Sequence, residues 1–323
     1  MIYNCASFFA GVGGIDIGFS SSCFKVVYAN EIDEYPVKTY ELNSDIKVDT
    51  RDIREVVKDV NSIPDFDILL AGFPCQAFSI AGDRKGFYDE KGRGTLFFEL
   101  IKIIRLKSPR VIFLENVKNL VTHDNGATFS TILNLIKAEG YYIKYKVLNS
   151  MQYGNVPQNR ERVYIVCFKN ESSYNEFTFP DPIPLTTRLE DIIDFDNKVD
   201  NKYYYTVENF KSDIVYKVLD TVISKETVYQ WRRKYVRENK SGVVPTLTAN
   251  MGSGGHNVPI IYTDNGVRKI TPKECFNAQG FDKSFKLPSM SDSRLYKQAG
   301  NSVSVSVISR IAKNIYLALS KEV

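Results

Sequence analysis

From residue 1 to about residue 168, short β-rich runs alternate with helical stretches, and this alternation restricts the fold more than any other feature of the chain. The candidate strands are 2–9, 25–30, 68–71, 111–114, 142–148 and 163–168. Between them lie helical patterns such as 95–106, with Leu96, Phe97, Leu100, Ile103 and Ile104 on one face, and 129–138. Strands that take turns with helices build an α/β fold around a doubly wound, mostly parallel sheet, because each crossover helix returns the chain to start the next strand in the same direction. Ligands of such sheets sit at the carboxyl ends of the strands.

The alternation stops after Phe168, where FTFPDPIPL places three prolines within five residues. The chain is then irregular and rich in Tyr, Asn and Gly to about residue 270. Two bodies are expected: 1–180, completed by a returning amphipathic helix within 286–323, and a smaller irregular domain over 181–285. The helix is expected from Ala299 to Leu319, with Val303, Val307, Ile308, Ile311 and Ile315 at helical spacing. No stretch of 18 apolar residues exists to span a membrane, and no basic leader precedes the first apolar residues, so a cytoplasmic protein is expected. Five widely spaced cysteines without a C-x-x-C pair, and only two histidines, argue against a disulfide framework or a zinc site. The net charge of +4 is mild. Residues 225–240 hold six basic side chains against two acidic ones and so account for that whole excess, which suits an anionic partner.

Three sites carry chemistry. Phe9-Ala-Gly11-Val-Gly13-Gly14 follows a candidate strand and opens a helix, where glycines permit a sharp turn close to a ligand. Glu31 ends the second candidate strand eighteen residues beyond Gly13, a placement from which a carboxylate accepts the hydrogens of a ribose. These two features suit a nucleoside-containing cofactor without distinguishing a nicotinamide from S-adenosylmethionine. In Ala71-Gly72-Phe73-Pro74-Cys75-Gln76-Ala77-Phe78-Ser79, a cysteine follows the end of a strand and a proline, and opens a glycine-rich polar loop. Most cysteines are small buried core residues, but one so placed is a candidate nucleophile.

FAGVGG, GFPCQAFS, Glu115-Asn116-Val117 after VIFL, Gln158-Asn159-Arg160-Glu161-Arg162 before VYIV, and Gln298-Ala299-Gly300-Asn301-Ser302-Val303 occur in that order. In this the chain resembles the cytosine-C5 DNA methyltransferases over essentially its whole length, and most of all the compact bacterial enzymes of restriction-modification systems. The resemblance implies a Rossmann-like, S-adenosylmethionine-dependent fold with a target-recognition domain. It implies Cys75 as the thiolate that attacks carbon-6 of cytosine, and Glu115, with a raised pKa, as the group that serves N3. Arg160 and Arg162, at alternate positions of a strand start and so on one side of the sheet, are implied to hold the glutamate and the cytosine carbonyl. For the cofactor it implies Phe9 against adenine, Gly11, Gly13 and Gly14 in the turn, Glu31 on the ribose with Ile32 beside it, Asp52 on the adenine amine with Ile53, and Asn301 closing the pocket. No metal is implied.

The target carbon lies inside stacked duplex DNA, so the base must be turned out at a cost of a few kcal/mol. Gln76, Ser79 and Arg84 of the loop after Cys75 are candidate DNA contacts on the catalytic side. In the second domain Arg232, Arg233, Arg237 and Thr246, of a Thr-Leu pair common in the family's recognition region, are the candidates. The expected setting is a monomer that modifies chromosomal double-stranded DNA, with a restriction endonuclease acting on the same site without stable contact. A transfer-RNA methyltransferase, an inactive DNA-binding regulator and a nicotinamide-dependent oxidoreductase are the competing readings. The intact GFPCQAFS, Glu115 and arginine motifs and the long segment between the last two motifs favour DNA methylation.

Overall fold

The computed structural model describes residues 1–20, 23–74, 96–232, 234–253 and 257–321. Cys75, Gln76, Ser79, Arg84 and Arg233 lie outside these residues. The strands, in chain order, are β1 (Tyr3–Phe8), β2 (Phe24–Asn30), β3 (Ile68–Ala71), β4 (Val111–Val117), β5 (Tyr142–Asn149), β6 (Gln158–Asn159), β7 (Glu161–Phe168), β8 (Val228–Arg232), β9 (Tyr235–Asn239), β10 (Val244–Pro245), β11 (Pro259–Thr263) and β12 (Gly266–Lys269). The α-helices are α1 (Gly14–Ser20), α2 (Glu34–Asn43), α3 (Ile53–Lys58), α4 (Leu96–Lys107), α5 (Ala127–Ala138), α6 (Ser150–Tyr153), α7 (Glu171–Glu176), α8 (Leu189–Ile192), α9 (Ser212–Thr221), α10 (Pro272–Asn277), α11 (Asp292–Asn301) and α12 (Val305–Leu319).

Two compact units divide the chain: 1–148 with 161–181 and 307–323, and 149–160 with 182–306. This division gives 149–160 and 286–306 to the second unit, where the sequence pattern had attached them to the first. The reason is side-chain hydrogen bonding that hydropathy does not register: Gln158 Nε2 donates to the Ala278 carbonyl at 2.6 Å, and Gln279 Nε2 to the Ala299 carbonyl at 2.9 Å.

The first unit is a six-stranded, mainly parallel sheet in the order β2-β1-β3-β4-β7-β5. β1 pairs in parallel with β2 on one side and β3 on the other, so the winding reverses at β1 and leaves a crevice at the carboxyl ends of β1 and β3. Strands β3 and β4 read as nearly pure aliphatic runs because helices cover both faces, and Ile68 to Ala71 and Val111 to Leu114 are all buried. The last strand to join, β7, lies antiparallel to β4, with Glu115 opposite Tyr164 and Val117 opposite Arg162.

The second unit was expected to be irregular but contains a four-stranded antiparallel sheet, β12-β11-β8-β9. The charge run of 225–240 hid a strand pattern of period two. Tyr229, Trp231 and Val236 point to one face and pack with Val218 and Val222 of the α9 region and with Ile260, while Gln230, Arg232 and Arg237 take the other face. The expected helix from Ala299 is also corrected. It is two helices, α11 and α12, broken at Ser302 to Ser304.

A buried polar cluster underlies the glycine turn. Asp16 of α1 accepts hydrogen bonds from Ser7 Oγ of β1 and Tyr40 Oη of α2, each at 2.6 Å. Gly13 has φ +84°, and a Cβ there would lie 2.9 Å from the Tyr40 ring, so the turn and the phenol are built around each other. Burial pushes the Asp16 carboxyl up from 3.8 to about 6, against the pull of its two hydroxyl partners. Ionising Asp16 is therefore harder in the folded chain than in the unfolded one. Its influence favours the fold below about pH 4 and fades as the pH rises to about 6, by ~3 kcal/mol at most. Asp16→Asn is expected to flatten the loss of stability between about pH 4 and pH 6 in urea unfolding, whereas the same pH slope in both proteins would refute the assignment.

Candidate active site

The glycine turn, Glu31 and Gly72 all lie at carboxyl ends of strands in the first unit, as the reversal of winding at β1 requires. Glu31 fastens the turn: Gly11 N donates to Oε2 at 3.0 Å and Asp33 N to Oε1 at 2.8 Å. Burial raises the Glu31 carboxyl above its ordinary value, and these backbone donors oppose the rise. Each carboxylate oxygen has a second lone pair, so the clasp leaves acceptor capacity for a diol. Phe9 adopts a left-handed φ of 55°, which turns the chain sharply as it leaves β1.

The two isoleucines expected beside the cofactor separate. Ile32 is 62% exposed next to Glu31, an apolar face open to a ligand, whereas Ile53 is 3% exposed and belongs to the core cluster. Asp52 caps the N-terminus of α3 by accepting from Arg54 N at 2.9 Å and pairs with the Arg54 guanidinium at 2.6 Å, which holds its carboxyl below the usual range. Asn301 ends α11 in the second unit and is exposed.

The motifs of the first unit that the sequence marks as candidate catalytic residues converge at β4. Glu115 is buried and pairs with Arg162, Nε to Oε1 at 3.2 Å, across the antiparallel β4–β7 ladder. Both belong to one face of that ladder, displaced by two residues, which is the diagonal neighbour distance that a long side chain bridges. The next residue, Asn116, is equally buried and donates from Nδ2 to the Phe73 carbonyl at 2.8 Å while accepting from Val117 N at 2.8 Å. A Cβ on Gly72 would lie 3.8 Å from Glu115 Oε2. The backbone that leads to Pro74 therefore passes beside the carboxylate and is pinned there. Phe73 anchors the same segment from below, its ring 5.0 Å from that of Phe97 on α4. Asn116 stood in a motif but received no role from the sequence, because a buried amide bonded to a main-chain carbonyl has no sequence signature of its own.

The arginine pair does not act side by side. Arg160 is 2% exposed in the second unit, and its guanidinium donates to the Leu247 carbonyl at 2.8 Å, to the Gly300 carbonyl at 3.3 Å and to the Ser302 carbonyl. The cause is the short parallel pair of β6 with β10, which brings Leu247 to Arg160. Gly300 is required in the same place, since a Cβ there would come 2.1 Å from the Thr248 backbone. Arg160 is thus a clamp on main-chain carbonyls, and Arg162 is the arginine that touches Glu115. Thr246 bonds to the Asn159 carbonyl at 2.6 Å, while Arg232 and Arg237 are exposed on the hairpin β8–β9.

Among the described residues no group of three or more His, Cys, Asp or Glu side chains is placed to hold a metal ion, and no helix is long and apolar enough to cross a membrane. The family model described as C-5 cytosine-specific DNA methylase matches residues 3–317. The chain is 55% identical over 315 residues to the type II methyltransferase M.Bsp6I of Bacillus sp. (strain RFL6), covering 97% of this chain and 98% of that protein. It is 39% identical over 331 residues to the type II methyltransferase M.HhaI of Haemophilus parahaemolyticus, with coverage of 97% and 94%. Among solved structures it is similar to the Entamoeba histolytica methyltransferase EhMeth, with a TM-score of 0.73 at 19% identity over 99% of each chain. A Spodoptera frugiperda DNMT2 variant also scores 0.73, at 21% identity over 97% of this chain and 99% of that one. At these identities the structural likeness bears on the fold.

Asn116→Ala removes the donor that pins the Phe73 carbonyl and is expected to cost about 1–3 kcal/mol in denaturant unfolding. It should also lower turnover. Asn116→Asp keeps the acceptor for Val117 N but sets a carboxylate against the Phe73 carbonyl, so it should recover neither stability nor turnover. Unchanged stability and turnover in both variants would show that the pin is unimportant.

Proposed function

The chain belongs to the C-5 cytosine-specific DNA methylase family, and on that premise we propose that it transfers a methyl group from S-adenosylmethionine to carbon-5 of a cytosine turned out of duplex DNA. The observation that carries the reading is the convergence of three sequence-distant motifs in the first unit: Arg162 on Glu115, Asn116 on the Phe73 carbonyl, and Gly72 beside the Glu115 carboxylate. The biological setting proposed is protection of chromosomal DNA in a type II restriction-modification system, with the enzyme acting as a cytoplasmic monomer.

Carbon-5 of cytosine is a weak nucleophile, so the ring must first be activated. The Cys75 thiolate forms a bond to carbon-6, and the ring's electrons move toward N3. Glu115 meets that developing charge with a hydrogen bond or proton, and Arg162 fixes the carboxylate's orientation through its Nε. Bound S-adenosylmethionine supplies a methyl group on a sulfonium. Once carbon-5 carries the methyl, a base takes its proton, the C5–H electrons restore the C5–C6 double bond and the bond from carbon-6 to Cys75 breaks, which frees the thiolate and leaves 5-methylcytosine.

The residues present suit that cofactor. Glu31 keeps lone pairs for the ribose hydroxyls while clasping Gly11, and Ile32 offers an exposed apolar face for adenine. The transfer-RNA and inactive-regulator readings lose ground because Glu115 and Arg162 are paired as a working site needs and the family is one of DNA methylases.

A duplex with 5-fluorocytosine at the target position should trap the protein as a denaturation-resistant adduct, because fluorine cannot leave as a proton, and Cys75→Ser should form none. An active protein that gives no adduct would rule out addition by Cys75. Glu115→Gln keeps the size and a hydrogen-bond donor but not the transferable proton, so turnover is expected to fall by about 10²–10⁴-fold, as measured by methyl incorporation into duplex DNA. Turnover within a few-fold of the native enzyme would remove Glu115 from the proton path.

A further inference from the structure

The polar face of the β8–β9 hairpin opens on a cleft of about 400 Å³ within the second unit. Among the described residues its lining has five amides, two arginines and two threonine hydroxyls, and no acidic side chain. Amides and guanidinium groups are the side chains that pair with base edges in the major groove, and the size of the cleft suits edges rather than a whole base stack. Two arginines face it, and the structure treats them differently. Arg232 ends β8 opposite Tyr235 and is exposed with no side-chain hydrogen bond among the described residues. Arg237 sits opposite Gln230, and its Nη2 donates to Gln230 Oε1 at 3.1 Å.

Gln230 is 4% exposed, a costly position for an amide unless both ends are satisfied. Its Nε2 donates to the Asn257 main-chain carbonyl at 3.3 Å. That carbonyl can only accept, so the amide cannot be turned over, and Oε1 must face Arg237. The register and the carbonyl thus fix Gln230, and Gln230 fixes one nitrogen of Arg237. An arginine held in this way loses little side-chain freedom when it engages a partner, whereas Arg232 would lose much more.

We propose that Arg237, oriented by the buried Gln230, reads a guanine of the target sequence through the O6 and N7 edge, and that Arg232 does not. Bidentate pairing of arginine with that edge is the commonest specific contact in the major groove. The proposal rests on the DNA-methylase reading and adds to it which side chain specifies which base. Gln230 is here a positioning residue, and Arg237 is the one that touches DNA.

The test begins with the methylated sequence, determined by sequencing DNA modified by the native enzyme. Duplexes of that sequence are then made with 7-deazaguanine, which lacks N7, at one guanine at a time, and kcat/KM is measured for each. At one guanine the native enzyme is expected to lose about 5- to 150-fold, the equivalent of about 1–3 kcal/mol. Arg237→Ala should lose the sensitivity at that guanine alone and stay sensitive at the others, while Arg232→Ala keeps the native pattern. Gln230→Ala should shrink the ratio at the same guanine, a readout that simple loss of folded protein would not move. If Arg237→Ala keeps the native ratio at every guanine, the assignment is overturned. It is overturned equally if that variant weakens all duplexes alike and lowers the salt slope by about 0.9, the signature of a phosphate contact. A native enzyme that methylates no duplex would sink the methylase reading instead, so the two failures are distinguishable.

Discussion

The 3.2 Å ion pair between Glu115 and Arg162 exists because β7 of the first unit runs against β4. Parallel strands β1, β3 and β4 bring their carboxyl ends to a common edge, and the chain that follows β4 would leave that edge at once. By joining antiparallel, β7 begins where β4 finishes, so a residue two positions into β7 can reach a carboxylate near the end of β4. The neighbouring Asn116 then ties the same place to Phe73. A carboxylate and an amide are buried together beside a partly buried guanidinium, and each is costly unless its partner is in position. The strand pairing supplies that position.

The same economy governs the floor of the crevice. Asp16, Ser7 and Tyr40 form a closed buried set, and Tyr40 in turn occupies the space that a side chain on Gly13 would need. Glycine is required there by packing from behind and by the left-handed φ of the turn. Glu31 completes the turn by accepting from Gly11, so the carboxylate proposed to take a ribose is also the brace that holds the turn. A site built in this way is preorganised, because its polar groups are placed by bonds that exist before any ligand arrives.

In the second unit, buried cations and amides tie main-chain segments together beside an apolar cluster of its own. Arg160 gathers three main-chain carbonyls, and Arg268, with no exposed surface, makes a two-pronged pair with Glu274 at 2.7 and 2.8 Å. Removing one partner of such a pair strands a buried charge, which gives these residues strong leverage over a small sheet. That sheet displays the face on which Gln230 and Arg237 meet.

The sequence by itself determined the parallel sheet, since the six strands expected from the alternation are those observed to within a few residues, and it determined the motifs at the strand ends. It did so because aliphatic runs and glycine turns are local signals, set by the period of a strand and by the φ that a turn demands. The role of Asn116, the division of labour between Arg160 and Arg162, the break between α11 and α12 and the hairpin inside the charge run were decided only by tertiary structure. Arg160 and Arg162 stand two residues apart and look equivalent in sequence. One meets the Leu247, Gly300 and Ser302 carbonyls and the other meets Glu115, because hydrogen-bond partners far along the chain, and not the spacing of the arginines, set where each guanidinium comes to rest.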